Sequence, residues 1–155
     1  MSEKYRTGAT RSPAGAGCGR RGPRNPAEAR GVVRRVLSEQ SRARGTPCAA
    51  DTLSDALLVA SELTTNAMLH GGGITGFEVE VVGQNLHLSV SDRERRRPVA
   101  QDPVDRQGRH RCGGRGWPIV CRLSRTVLVS DLPAGGKRVT AVIPLAAERQ
   151  PVEGP

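Results

Sequence analysis

The chain has 155 residues, a formal net charge of +9 and 36% hydrophobic residues, which suits one domain with a dilute tail. Its only aromatics are Tyr5, Phe77 and Trp117, so it lacks the platform on which single-strand nucleic-acid binders stack bases. No apolar run reaches the roughly 18 residues of a membrane span, and no signal-peptide core follows Met1, so the reading is a soluble cytoplasmic protein with neither membrane nor nucleic acid as partner.

The positive charge sits in residues 1–26 and 93–115, mostly on Arg, and the remainder is close to neutral. Cys18, Cys48, Cys112 and Cys121 form no C-x-x-C pair and read as scattered free thiols.

Residues 1–25 are rich in Gly, Pro, Arg, Ser and Ala without an apolar period, and read as a disordered basic tail. The spacing of Ala29, Val32, Val33, Val36 and Leu37 predicts a helix over 26–44, with Asn25 as cap and Pro26 in the first helical position. Gly45-Thr46-Pro47 ends it. Leu53, Leu57, Ala60, Leu63 and Ala67 predict a second helix over 51–70, capped by Asp51 or Thr52 and stopped by Gly71-Gly72-Gly73. Residues 77–82 and 86–92 read as a hairpin around Gly83-Gln84-Asn85. Residues 93–112 have no apolar pattern and read as a long functional or disordered loop. A short helix over 117–124 follows, then strands over 126–130 and 139–143 about a Gly135-Gly136 turn. Residues 147–155 read as a disordered C-terminal tail. Helices alternating with antiparallel strands predict a two-layer α/β sandwich over 26–146.

Glu62, Asn66 and His70 fall at i, i+4 and i+8, along one face of the second helix. An amide oxygen suits Mg²⁺, and a carboxylate one turn away can orient or deprotonate a hydroxyl that attacks a phosphoryl group. Spacing alone is equally that of a solvated polar face. Asp92 closes a strand, where a carboxylate can accept from the exocyclic amine of a base or simply end the strand as a turn residue. Gly113-Gly114-Arg115-Gly116 opens a helix, and glycine together with a helix N-terminus favours phosphate, with Arg115 adding charge. No strand immediately precedes this run, so it is not a dinucleotide fingerprint.

Taken in order, these segments resemble the histidine-kinase-like (Bergerat-type) ATPase domain of gyrase-type proteins, heat-shock-ninety chaperones, histidine kinases and mismatch-repair proteins. They are most similar to the small anti-sigma-factor serine/threonine kinases of actinobacteria. Residues 61–71, SELTTNAMLHG, look like the N box of those kinases; Val90-Ser91-Asp92 with Pro98 looks like the first glycine box; residues 113–120, GGRGWPIV, look like the second; and Gly135-Gly136-Lys137 looks like the closing turn. The resemblance spans about residues 27–145. It implies a mixed, mostly antiparallel sheet with helices on one face, and ATP and Mg²⁺ as cofactors. It further implies Asn66 as metal ligand, Glu62 as catalytic base and Asp92 as adenine acceptor, with Gly114, Arg115, Gly116 and Lys137 beside the nucleotide. The implied partners are an anti-anti-sigma protein that is phosphorylated, a sigma factor that is sequestered, and a second copy in a homodimer.

The chain departs from the family pattern at the adenine end. Arg93-Glu94-Arg95-Arg96-Arg97 stands where small residues are usual, Trp117 replaces Leu, Val127-Leu128 replaces Trp-Gly, and Arg138 stands where Thr follows Gly-Lys. The expectation is therefore a kinase, with a nucleotide-binding or degenerate interaction switch as the alternative.

Overall fold

The computed structural model describes residues 22–98 and 116–146. Three helices and four strands follow one another as α1 (Pro26–Arg44), α2 (Ala50–Leu69), β1 (Ile74–Val82), β2 (Asn85–Asp92), α3 (Gly116–Leu123), β3 (Thr126–Asp131) and β4 (Lys137–Pro144). The strands form one sheet in the order β1-β2-β4-β3. Each of its pairings is antiparallel, so the sheet is not mixed among the described residues. Both hairpins are local, and β2 meets β4 because the chain crosses through α3 and β3 before returning. The result is an α/β fold with its helices packed on one sheet face.

Local chemistry sets the boundaries of α1. The Asn25 side chain accepts from the Glu28 N–H at 2.9 Å, and the Glu28 carboxylate accepts from the Arg24 N–H at 2.7 Å. The first bond satisfies an N–H that a helix start leaves free, and the second ties the residue before the cap to the first turn. Gly45 ends the helix in the left-handed region at φ 66. Pro23 is buried, so the folded part begins a few residues before the Pro26 boundary expected from the sequence.

Helix α2 starts at Ala50 after Ala49, with no side-chain cap, whereas the sequence suggested Asp51 or Thr52 in that role. Leu53 and Leu57, expected on the buried stripe, are only partly buried; Ala56, Val59, Ala60, Leu63, Thr64 and Ala67 are fully so. The buried face is wider than one stripe because α2 packs against α1, α3 and the sheet together. Small residues permit that approach. Buried Thr64 is satisfied within its own helix, its hydroxyl donating to the Ala60 carbonyl at 2.7 Å. Strand β1 begins at Ile74 rather than 77, because Gly72 and Gly73, both at positive φ, turn the chain directly from helix into strand.

The sheet follows a period of two. Leu86, Leu88 and Val90 of β2 and Val139, Ala141 and Ile143 of β4 face the helices, with Val127 and Val129 of β3 beside them. The other face is polar and carries the Ser89–Thr140 hydroxyl pair at 2.7 Å. Leu88 is fully buried at the centre of this core. Leu88→Ala should lower unfolding free energy by about 2–5 kcal/mol, read from the urea midpoint at unchanged m-value.

Candidate functional site

The period-two alternation that buries Leu86, Leu88 and Val90 also turns Asp92, at the end of β2, toward the helices. The register opposes Asp92 to Lys137, the first residue of β4, and that lysine turns the same way. The C-terminal end of α2 lies above them. Between these ends is a cavity of about 430 Å³. Leu63, Val90, Val139 and Trp117 form its apolar wall; Asn66 and His70 enter from α2; Asp92 and Lys137 lie opposite, with Glu94, Arg96 and Arg97 from the segment after β2. An apolar slot with a few convergent polar groups, of this size, is the usual form of a small-molecule site.

Asp92 and Lys137 form a buried ion pair, each side chain 6% exposed. The Lys137 ammonium donates to Asp92 Oδ1 at 3.0 Å, to Oδ2 at 2.8 Å and to the Glu94 carbonyl at 3.1 Å. The Glu94 N–H donates to Asp92 Oδ1 at 2.9 Å. Two glycines make room for this cluster. A Cβ on Gly71 would lie 2.5 Å from Asp92 Oδ2, and one on Gly136 would overlap the Asp92 carbonyl. Gly71 is not at positive φ, so its requirement is space rather than conformation. Its carbonyl also accepts from the Arg93 N–H at 2.9 Å, fastening the end of α2 to the end of β2.

Glu62, one turn before Asn66, does not line the cavity. Its carboxylate lies against Gly116, the first residue of α3, where any Cβ would overlap it. A carboxylate at a helix N-terminus is favourably placed against the helix dipole. Of the residues singled out in the sequence, Asn66, Asp92 and Lys137 therefore meet at one cavity, His70 joins them, and Glu62 with Gly116 forms a separate contact beside it. Gly114 and Arg115 lie outside the described residues.

The arginine-rich segment divides. Arg96 and Arg97 line the cavity, and Arg97 donates to the Val129 carbonyl of β3 at 3.0 Å. Arg93 turns toward the Gly72 carbonyl at 3.4 Å. The backbone N–H of Arg96, with its charge adding, holds the Glu94 carboxyl below the ordinary carboxylate range. Glu94 is thus ionised at neutral pH, and the stabilisation its ionised form gives this segment fades as pH falls through that lowered value. Arg138 does not reach the cavity. One step along β4 from Lys137, it points to the outer face, 3.4 Å from Ser91 Oγ and 4.0 Å from a Glu78 carboxylate oxygen. Of the residues that depart from the family pattern, Arg96, Arg97 and Trp117 line the cavity and Arg138 does not; its neighbour Lys137 does.

These residues fit a nucleotide with Mg²⁺. Mg²⁺ keeps water and phosphate ligands and needs only one or two protein oxygens, and the Asn66 amide oxygen is of that kind. Among the described residues no cluster of three or more His, Cys, Asp and Glu could form a metal cage by itself. Asp92 lines the same cavity, with both carboxylate oxygens accepting from Lys137 and Oδ1 also from the Glu94 N–H. The sequence flags the segment 93–97 at this end as a whole and places Gly71 in the helix stop and the N box; it does not single out Leu69 or Val139 as lining residues. Strand register places Val139 beside Val90.

An α/β sandwich with an amide on one helix and a strand-end carboxylate across a cavity has the form of a small-ligand site. The model of the histidine kinase-like ATPase domain matches residues 23–143, and the chain belongs to that family. Membership implies ATP binding. No curated protein matches the chain. Among the described residues, no helix is long and apolar enough to cross a membrane.

The Asp92 cluster generates a test of its own. Gly71→Ala displaces the carboxylate and Lys137→Met leaves it unpaired, and each should cost about 3–5 kcal/mol. Because both act on one interaction, the double variant should lose clearly less than the sum in chemical denaturation.

Proposed function

We propose that this chain is an ATP-dependent regulatory kinase of the anti-sigma-factor type, which phosphorylates a Ser or Thr of a small anti-anti-sigma partner and sequesters a sigma factor when that partner is absent. The observation that carries the reading is the placement of Asn66 and Asp92 on opposite walls of one cavity. In this reading a nucleotide would lie with its base toward β2 and its phosphates toward α2 and the start of α3.

Bound Mg·ATP supplies the phosphoryl group and the counter-charge for its transfer. Asn66 would hold Mg²⁺ through its amide oxygen. Glu62, one turn earlier on the same helix and beside the N-terminus of α3, takes or orients the proton of the partner's hydroxyl. That hydroxyl oxygen attacks the terminal phosphorus, the bond to the bridging oxygen breaks, and ADP leaves. Positioning and electrostatics carry most of such a reaction.

A second reading is a nucleotide-gated interaction switch without transfer. The pairing of Asp92 with Lys137 and the packing of Glu62 against Gly116, outside the cavity lining, favour it.

The deciding experiment is incubation with γ-labelled ATP and candidate anti-anti-sigma proteins. For a kinase, Glu62→Ala should keep ATP binding and lose transfer by about 10²–10⁴-fold. Asn66→Ala should weaken Mg·ATP binding itself, read by calorimetry. Binding without transfer by the unaltered chain with every partner would leave the switch.

A further inference from the structure

The end of α2 leaves two large apolar side chains in water: Met68 is 43% exposed and Leu69 68%. One such residue is ordinary, but two in succession at a helix end form a patch. The segment after β2 stands beside it. The Arg93 N–H donates to the Gly71 carbonyl at 2.9 Å, and a Cβ on Gly72 would lie 3.5 Å from the Arg93 Cβ. Leu69 borders the same cavity as Arg96 and Arg97. Arg93, Arg95, Arg96 and Arg97 are all exposed, and among the described residues none of them forms a salt bridge. Arg93 and Arg97 each spend one donor on a backbone carbonyl and keep the rest. The backbone that carries the four is fixed, because both backbone groups of Glu94 bind the Asp92–Lys137 pair and the Arg96 N–H donates to the Glu94 carboxylate at 3.0 Å. An ordered segment thus presents guanidinium groups beside an apolar patch.

We propose that Met68 and Leu69, rimmed by these four arginines, form a docking surface for an acidic amphipathic segment of a protein partner. The inference goes beyond the kinase reading and needs no bound nucleotide. Met68 and Leu69 meet apolar side chains of the partner, and the guanidinium forks take its carboxylates. An apolar centre with a polar, arginine-rich rim is the usual anatomy of a protein interface, and the sign of the rim selects an acidic partner. Nucleic acid fits this surface less well. Of the two described aromatics, Trp117 is buried and Phe77 half-buried, so neither offers a face on which bases stack. Met68 and Leu69 would also have nothing apolar to meet along a phosphate backbone.

The test is fluorescence anisotropy on the full chain, without nucleotide. The probes are a labelled peptide in which Leu alternates with pairs of Glu, and a counterpart with Gln for every Glu. The unaltered protein should bind the Glu peptide about tenfold or more tighter than the Gln peptide, with an affinity that falls as salt rises. Arg93→Gln with Arg95→Gln should weaken that binding about threefold to tenfold, and Leu69→Ser about threefold or more. All three side chains are exposed, so these variants keep the fold. Residues 1–26 are basic as well, so Arg20→Gln with Arg21→Gln is the control of equal charge, and it should change the affinity by less than about twofold. Equal losses in the two arginine double variants overturn the proposal, because charge anywhere on the chain would then suffice. Unchanged affinity in Leu69→Ser overturns it, as does equal binding of the two peptides by the unaltered protein. Tighter binding of a uridine oligonucleotide of the same charge, weakened by the changes at Arg93 and Arg95, makes the surface one for nucleic acid and overturns it too.

Discussion

At the end of β2 a carboxylate and an ammonium share a space nearly closed to water, and the arrangement of the cavity follows from that pairing. An ion pair taken out of water loses hydration that its mutual attraction barely restores, so it persists only where further hydrogen bonds complete it. Here they come from the backbone of Glu94 on both its N–H and its carbonyl. The segment leaving β2 is thereby folded back over the pair. Gly71 and Gly136 let α2 and the β3–β4 turn close on either side. Helix end, strand end and turn meet at one carboxylate.

Helix α2 links this cluster to the rest of the molecule. It is buried on several sides, and its small residues let α1, α3 and the sheet approach together. The same helix carries Thr64 and Leu63 into the core, Asn66 onto the cavity and Glu62 against α3. Tight packing leaves little freedom to rotate, so the direction of the Asn66 side chain is fixed by apolar contacts that have no chemical role of their own. Function in this family of ATPase domains depends on such placement, and here it is supplied by alanines and valines.

Much of this was legible in the sequence. The helix over 26–44 announced itself through Asn25, Pro26 and Gly45, each with a local physical role, and its observed span is the same. The hairpin and the last two strands followed from alternation, and Asn66 and Asp92 followed from a family motif. What could not be read was the register between distant strands. Nothing local to Lys137 says that it opposes Asp92 rather than standing one step away, where Arg138 is. The family pattern put Lys137 beside the nucleotide and drew suspicion to Arg138 only because Thr is usual there; the register separates the two, with Lys137 at the cavity and Arg138 on the outer face. Helix α2 starts at Ala50, one residue earlier than expected, so Asp51 and Thr52 stand inside its first turn rather than capping it.

The alternation along β2 and β4 makes the site far more sensitive to chain length than to chemistry. Adding or deleting one residue between Leu86 and Asp92 would rotate the carboxylate onto the outer sheet face and the intervening apolar side chains with it. The equivalent change in β4 would exchange Lys137 for Arg138. The turn at Gly83 and Gln84 lies at the opposite end of the same hairpin, so additional residues there leave the facing order undisturbed. Divergent relatives should accordingly accumulate insertions at that far corner while keeping the count of residues through the two central strands constant.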